Sequence, residues 1–286
     1  MSVGIYTLLV NDFLSGLNDA QRQAILSTEG PVLIVAGAGA GKTKTVVHRI
    51  CHLISNGTAP NAILAVNFTN KAAKEMRERV QTMMSDIPFA IHQGEIPFLS
   101  TFHSLGVFLL RKFGAHGGHL KQFVILDDGD TMSLIKESFV ALGLDPKEHD
   151  PRAIKGIISK AANAMQTPAE LMSEPNPHYR LAGRVWERYI TQKKEQKGLD
   201  FDDLLLETAR LLNENEEAQT WCHNTWKYIH VDEYQDTNEV QYRIAKALAS
   251  AYKNICVVGD SDQSIYSWRG ADIKNVLQLD RKSTRL

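Results

Sequence analysis

The sequence has few cysteines and no long apolar segment, and each of these features excludes a class of protein. It contains only three cysteines, Cys51, Cys222 and Cys256, and no Cys-x-x-Cys pair. This pattern supports neither a disulfide framework nor a cysteine zinc site, and it favours a reducing compartment. The longest apolar run, residues 31–41, is too short and too rich in glycine to cross a bilayer.

An excess of charge of one sign is also missing. Lys and Arg together number 32 and Asp and Glu number 33, so the formal net charge is -1. This excludes a protein that is basic throughout, although a local basic groove for nucleic acid stays compatible with it. No basic segment precedes the first apolar stretch, which argues against a secretory signal. We therefore expect a cytoplasmic protein that does not contact a membrane.

Four short apolar runs, each followed by a polar or glycine-rich turn, indicate the strands. They lie at residues 32–35, 63–66, 228–231 and 255–258. Continuous runs of this kind are typical of strands that are buried on both faces. Helical periodicity separates the runs, so the sequence predicts an α/β fold with a parallel sheet flanked by helices.

The middle of the chain has a different pattern. Residues 107–198 are mostly helical in periodicity, with several prolines and one good strand-like run at 123–126. We expect this segment to be a helical subdomain inserted into the α/β domain. The predicted division is therefore 1–106 with 199–280 for the α/β domain, 107–198 for the inserted subdomain, and 281–286 as an unassigned tail.

A glycine-rich loop follows the first predicted strand and precedes a predicted helix, which is the context of a phosphate-binding loop. Its glycines let backbone N–H groups converge on phosphate oxygens, and the helix adds its positive end. Lys42 would reach the β- and γ-phosphates, and the Thr43 hydroxyl would bind Mg²⁺. The alternative is an ordinary glycine-rich turn, and Ala36 stands where the general pattern has glycine. The residues predicted to bind nucleotide here are Ala36, Gly37, Ala38, Gly39, Ala40, Gly41, Lys42, Thr43 and Lys44.

Two carboxylates follow the third apolar run. Asp232, at the end of the predicted strand, can join Thr43 in holding Mg²⁺. Glu233 is a candidate general base that would activate a water for attack on the γ-phosphate. A kinase does not need a base for water, so this pair favours hydrolysis over phosphate transfer. The alternative is a capped turn, because acidic residues are common at the ends of strands and helices.

Polar and aromatic residues follow the fourth apolar run. Gln263 is predicted to contact the γ-phosphate and respond to hydrolysis. Tyr266 and Trp268 could stack on unpaired bases, with Arg269 on a phosphate. Composition alone favours the alternative, in which the two aromatic residues are packing residues.

Taken together, these motifs resemble the first half of superfamily 1 DNA helicases of the UvrD, Rep and PcrA type. The resemblance implies a RecA-like P-loop NTPase fold, ATP and Mg²⁺ as ligands, and translocation on single-stranded DNA in the 3′ to 5′ direction. The matching segments occur in the family's order at residues 17–21, 37–43, 68–73, 100–103, 199–203, 232–236, 259–263 and 266–271.

The resemblance also implies roles for residues that spacing alone would not single out. Gln21 matches the glutamine that reads adenine, and Phe68, Asn70 and His103 match positions along the path of single-stranded DNA. The helical insertion matches the subdomain that lies over the DNA. Lys44 departs from the family, which often has arginine there, and Asn67 stands where threonine is usual.

The family continues into a second RecA-like domain that supplies arginines to the γ-phosphate, and residues 281–286 do not resemble that continuation. We therefore expect this chain to be a fragment, weak or inactive alone, of an ATP-dependent helicase that binds single-stranded DNA and its junctions with duplex. The alternatives are a natural single-lobe module that binds nucleotide and DNA without catalysis, and the motor part of a helicase–nuclease.

Overall fold

The computed structural model describes residues 14–85, 95–114 and 121–260, together with the backbone of residues 284–285. Four predicted site residues, Gln263, Tyr266, Trp268 and Arg269, lie outside the described residues. The helices are α1 Asp19–Leu26, α2 Lys42–Ser55, α3 Asn70–Met84, α4 Phe102–Phe113, α5 Asp128–Ala141, α6 Pro151–Asn163, α7 Pro168–Met172, α8 Pro177–Glu195, α9 Phe201–Glu214, α10 Glu216–Thr225 and α11 Glu239–Ala249. The strands are β1 Val32–Val35, β2 Ile63–Asn67, β3 Phe98–Thr101, β4 Val124–Ile125, β5 Gly198–Leu199, β6 Tyr228–Val231, β7 Ile255–Gly259 and β8 Thr284–Arg285.

A six-stranded sheet in the order β3-β2-β6-β7-β1-β8 forms the centre of the molecule. Every neighbouring pair in it is parallel. All residues of β2 and β7 are buried, because helices cover both faces of the sheet. The predicted α/β fold with a parallel sheet is therefore confirmed.

Alternate residues along each strand enter two separate hydrophobic clusters, as the two-residue period of a strand requires. In β2, Ile63 and Ala65 pack with α2 and α3 on one face. Leu64 and Val66 contribute to the cluster on the opposite face, which includes buried residues of α4, α9 and α11. The sheet is thus held between two helical layers, and its carboxyl edge is left for polar residues.

The helices α5 to α8 lie between the two parts of the chain that build this sheet. A short parallel pair, β4 with β5, joins the entry to this helical segment with its exit. The hydrophobic cluster of the second sheet face continues into the segment through Phe139, Ile154 and Trp186. The helix α4 runs without interruption across residue 106, where sequence analysis places the boundary. The division into domains remains a prediction.

A buried ionic cluster connects α8 to the start of α9. Lys193 donates hydrogen bonds to Asp200 Oδ2 at 2.7 Å and to Asp203 Oδ2 at 2.5 Å. Tyr189 donates to the same oxygen of Asp200 at 2.7 Å. Asp200 and Asp203 also form the capping box that begins α9.

Among the described residues, no helix is long and apolar enough to span a membrane.

Candidate functional site

Three neighbouring strands of the sheet, β6, β7 and β1, end at one edge with the predicted chemical groups. The glycine-rich loop follows β1, Asp232 follows β6, and Asp260 follows β7. Parallel strands place their carboxyl ends side by side, and ligands of open α/β sheets bind outside this edge. Residues that are far apart in sequence therefore meet at one site.

The glycine-rich loop has the backbone of an anion-binding turn. Gly39 and Gly41 have φ values of 74° and 81°, which only glycine adopts without strain. Gly41 is the N-cap of α2, and no side chain caps this helix. The first N–H groups of α2 therefore point out of the helix toward the site, where a phosphate would accept their hydrogen bonds.

Lys42 lies across the loop, with its side chain 9% exposed. Its Nζ donates to the carbonyl oxygens of Ala36 and Gly37 at 3.1 Å and 3.5 Å, and to Asp260 Oδ2 at 3.4 Å. The amine is thus positioned inside the curve of the loop by groups from both β1 and β7. A cation in this position can bind phosphate oxygens.

Thr43 and Asp232 face each other across the site. The Thr43 hydroxyl donates to Asp232 Oδ2 at 3.2 Å. Burial and, to a smaller extent, the charge of the neighbouring Glu233 raise the pKa of Asp232 to about 6, although the hydrogen bonds from the Glu233 N–H and the Thr43 hydroxyl oppose this shift. A hydroxyl beside a buried carboxylate fits Mg²⁺, which prefers oxygen ligands and would neutralise this charge. Within 14–85, 95–114 and 121–260, no group of three or more His, Cys, Asp or Glu side chains forms a metal site.

Glu233 has an unusual backbone conformation. Its φ is 50° and its ψ is 42°, the left-handed region that non-glycine residues seldom occupy. Its N–H donates to Asp232 Oδ1 at 3.0 Å, and a 3₁₀ turn, Tyr234–Asp236, follows it. Strain of this kind is kept where the surroundings hold it in place, and it is often found at functional sites.

Gln235 is a site residue to which sequence analysis assigns no role. Its Nε2 donates to Glu233 Oε2 at 2.7 Å, and its Oε1 accepts from the Asp260 N–H at 2.9 Å. The sequence signal is weak, because a glutamine among acidic residues has no distinctive spacing. Only the adjacency of β6 and β7 brings its two partners together.

Gln21 and Lys44, two further predicted nucleotide-binding residues, flank the loop differently. Gln21 Nε2 donates to the Ala40 carbonyl at 2.9 Å, and its Oε1 accepts from the Asn18 N–H. Gln21 therefore lies directly against the loop. The Nζ of Lys44 instead donates to the Gly16 carbonyl at 3.1 Å, so this amine contacts the segment before α1.

The three described residues that were predicted to contact DNA lie at the carboxyl ends of β2 and β3. Phe68 and Asn70 follow β2, and His103 is in the first turn of α4 after β3. Phe68 is half-buried against Phe102, whereas Asn70 is exposed. His103 makes an edge contact with Phe201 at 5.7 Å between ring centroids, and Phe201 is 48% exposed. These residues lie at the same carboxyl edge of the sheet as the phosphate loop, with β6 and β7 between β2 and β1.

The parallel sheet, the loop with its lysine, and the Thr43–Asp232 pair define the class of P-loop α/β proteins. Residues 17–284 match the family described as the UvrD/REP helicase N-terminal domain, and the chain belongs to that family. The resemblance stated from the sequence motifs is therefore confirmed.

The chain is similar to curated relatives named ATP-dependent DNA helicase PcrA. It is 44% identical to the protein of Staphylococcus aureus over 274 residues, which are 95% of this chain and 37% of the relative. It is 42% identical to the protein of Staphylococcus epidermidis over 273 residues, with the same coverage of 95% and 37%. The chain thus spans a little over a third of the length of these relatives.

Proposed function

We propose that this chain is the ATP-binding part of an ATP-dependent DNA helicase, in which ATP hydrolysis drives movement on single-stranded DNA. The observation that carries the proposal is the contact between Thr43 on the phosphate loop and Asp232 at the end of β6. This contact supports the proposal because it brings the phosphate-loop threonine within hydrogen-bond distance of the carboxylate that would hold Mg²⁺ with it. The family membership and the names of the relatives support the proposal.

Each residue of the candidate site has a proposed role in binding or hydrolysing ATP. The loop amides and Lys42 would bind the triphosphate, and Thr43 with Asp232 would hold Mg²⁺. When bound there, Mg²⁺ would neutralise negative charge on the phosphates. Glu233 would orient and deprotonate the attacking water. Gln21, which already contacts the loop, would read the adenine edge, because an amide can both donate and accept.

The face formed by Phe68, Asn70, His103 and Phe201 would bind single-stranded DNA. Half-buried and exposed aromatic rings at the ends of β2 and β3 offer surfaces on which bases stack, a contact worth about 1–3 kcal/mol per base. The predicted DNA contacts of Tyr266, Trp268 and Arg269, and the contact of Gln263 with the γ-phosphate, belong to this proposal as sequence-based expectations.

The first experiment measures binding of ATP by this 286-residue chain with and without Mg²⁺. We expect Mg²⁺-dependent binding that Lys42→Ala weakens at least tenfold. Lys74→Ala is the matched control, because Lys74 is exposed on α3, where it forms an ion pair with Glu78 at 3.8 Å. Equal loss in both variants, or no binding by the unaltered chain, would contradict the proposed site.

The second measurement is ATP hydrolysis with and without single-stranded DNA, in the chain and in a longer protein that contains it. Glu233→Gln is expected to keep nucleotide affinity and to lower turnover by at least a hundredfold, because the base for water is removed. Turnover that does not change would disprove the role of Glu233. Binding without turnover in the chain alone would place the missing catalytic groups outside it.

A further inference from the structure

A closed ring of contacts surrounds the candidate site, and Gln235 closes it. On one side the ring runs from the phosphate loop through Thr43 to Asp232, whose Oδ1 accepts from the Glu233 N–H. On the other side it runs from Lys42 to Asp260. The Gln235 amide connects these two sides through its hydrogen bonds with Glu233 and Asp260. The ring consists, in order, of Lys42, Thr43, Asp232, Glu233, Gln235 and Asp260.

Both polar atoms of the Gln235 amide are hydrogen-bonded, and Gly259 of β7 packs closely against the side chain. It is 3% exposed, so neither of its hydrogen bonds competes strongly with water. Its position against β7 depends on Gly259, since a Cβ there would lie 2.8 Å from Gln235 Oε1 and 3.2 Å from its backbone N. The φ of Gly259 is not positive, so glycine is needed for space rather than for backbone conformation.

We propose that Gln235 is a positioning residue, which holds the Glu233 carboxylate and ties it to the end of β7. The amide N–H₂ fixes the carboxylate of Glu233, a residue whose backbone is in the left-handed region. The amide oxygen fixes the Asp260 N–H. The turn that contains Asp232 and Glu233 therefore moves together with the end of β7 when Lys42 or Thr43 on the phosphate loop changes position. We call this arrangement the Gln235 clamp. It rests on the proposed function, because Glu233 is its first partner.

Two substitutions separate the two bonds of the clamp. Gln235→Met has a similar size but removes both the donor and the acceptor. Gln235→Glu keeps an acceptor for the Asp260 N–H and loses the donor to Glu233. Gln241→Met is the matched control, because Gln241 is also a buried glutamine, and its side chain accepts from the Asn238 N–H in the cap of α11, away from Glu233 and Asp260.

The experiment measures hydrogen exchange of the Asp260 amide by NMR in the full chain, alone and with Mg²⁺–AMPPNP. In the unaltered chain, we expect a protected amide whose exchange slows further with AMPPNP. In Gln235→Met, exchange is expected to be at least roughly fivefold faster, as for the loss of one hydrogen bond, and not to respond to AMPPNP. In Gln235→Glu, protection is kept, but the response to AMPPNP falls to less than half. Gln241→Met is expected to behave as the unaltered chain.

The outcomes distinguish this inference from the proposed function. AMPPNP affinity within about threefold in all variants would show that the nucleotide site itself is intact. An AMPPNP response that survives in both Gln235 variants would disprove the clamp while leaving the function standing. Failure of the unaltered chain to bind AMPPNP would disprove the function, and the exchange rates without nucleotide would still decide whether Gln235 holds Asp260.

Discussion

Lys193 is 4% exposed and forms salt bridges with both Asp200 and Asp203, so one buried ammonium group is shared by two carboxyl groups. Burial alone would raise the pKa of Asp200, but the charge and hydrogen bond of Lys193, together with the hydrogen bonds from Tyr189 and the Asp203 N–H, hold that pKa below its usual range. Burial raises the pKa of Asp203 to about 7, because Lys193 only partly compensates it and Asp200 repels it. At the scale of single residues, therefore, the two carboxylates of one capping box titrate differently.

This difference predicts a pH dependence of stability. The pKa of Asp203 is higher in the folded chain than the ordinary 3.8, so the folded state binds this proton more tightly than the unfolded state. The resulting contribution to the free energy of unfolding is fully present below pH 3.8 and is lost as pH rises through about 7. An asparagine side chain does not ionise, so the Asp203→Asn variant does not lose this stabilisation as pH rises. Relative to the unaltered chain, its free energy of unfolding is expected to rise by about 1–3 kcal/mol between pH 5 and pH 8.

Urea unfolding at several pH values measures this change. Asp128→Asn is the control, because Asp128 also accepts from a lysine, Lys155, at 2.7 Å, but its side chain is 95% exposed. A salt bridge to such an exposed carboxylate contributes little, so we expect the Asp128→Asn variant to differ little from the unaltered chain in its free energy of unfolding. The same slope in both variants would show that burial does not control the titration of Asp203.

At the scale of elements, close helix packing depends on single glycines. A Cβ added at Gly183 in α8 would lie 2.6 Å from Met172 Cγ and 2.8 Å from the Pro168 carbonyl, both in α7. The contact leaves no room, so Gly183→Ala is expected to force α7 away and lower the free energy of unfolding by about 1–3 kcal/mol.

Gly156 offers the matched comparison in α6. Nothing lies within 4 Å of a Cβ added there, and the residue is exposed. Gly156→Ala is therefore expected to raise the free energy of unfolding by about 0.5–1 kcal/mol through helix propensity alone. Urea denaturation of both variants measures the effects, and destabilisation of equal size would mean that packing against α7 is not the cause.

At the scale of the whole molecule, one hydrophobic cluster extends from the sheet into the helical insertion. Leu64 and Val66 of β2 belong to the same cluster as Ile154 of α6 and Trp186 of α8. A continuous core of this kind favours a single cooperative transition. We expect pulsed hydrogen exchange through a urea transition to give one midpoint for peptides of α8 and of β7. An earlier midpoint for α8 would show that the insertion unfolds separately.

The chain covers 37% of the length of its curated relatives. The candidate nucleotide site consists of residues that follow β1, β6 and β7, together with Gln21 of α1. Unwinding of duplex DNA belongs to the longer proteins and stays part of the proposed function.

The sequence by itself determined the parallel sheet and the glycine-rich loop between β1 and α2, because each of these depends on a local pattern. Apolar runs of four or five residues reveal strands buried on both faces, and glycines followed by Lys42 and Thr43 reveal the loop. These signals need no knowledge of which strands are neighbours.

Only the tertiary structure decided the partners that come from different strands. Lys42 meets Asp260, which is 218 residues away in the chain, because β7 lies next to β1. Gln235 meets Asp260 because β6 lies next to β7, and Gly259 leaves the space for it. Strand order is set by packing of the whole chain, so no local pattern could predict the Gln235 clamp or the two carboxylates around Lys193.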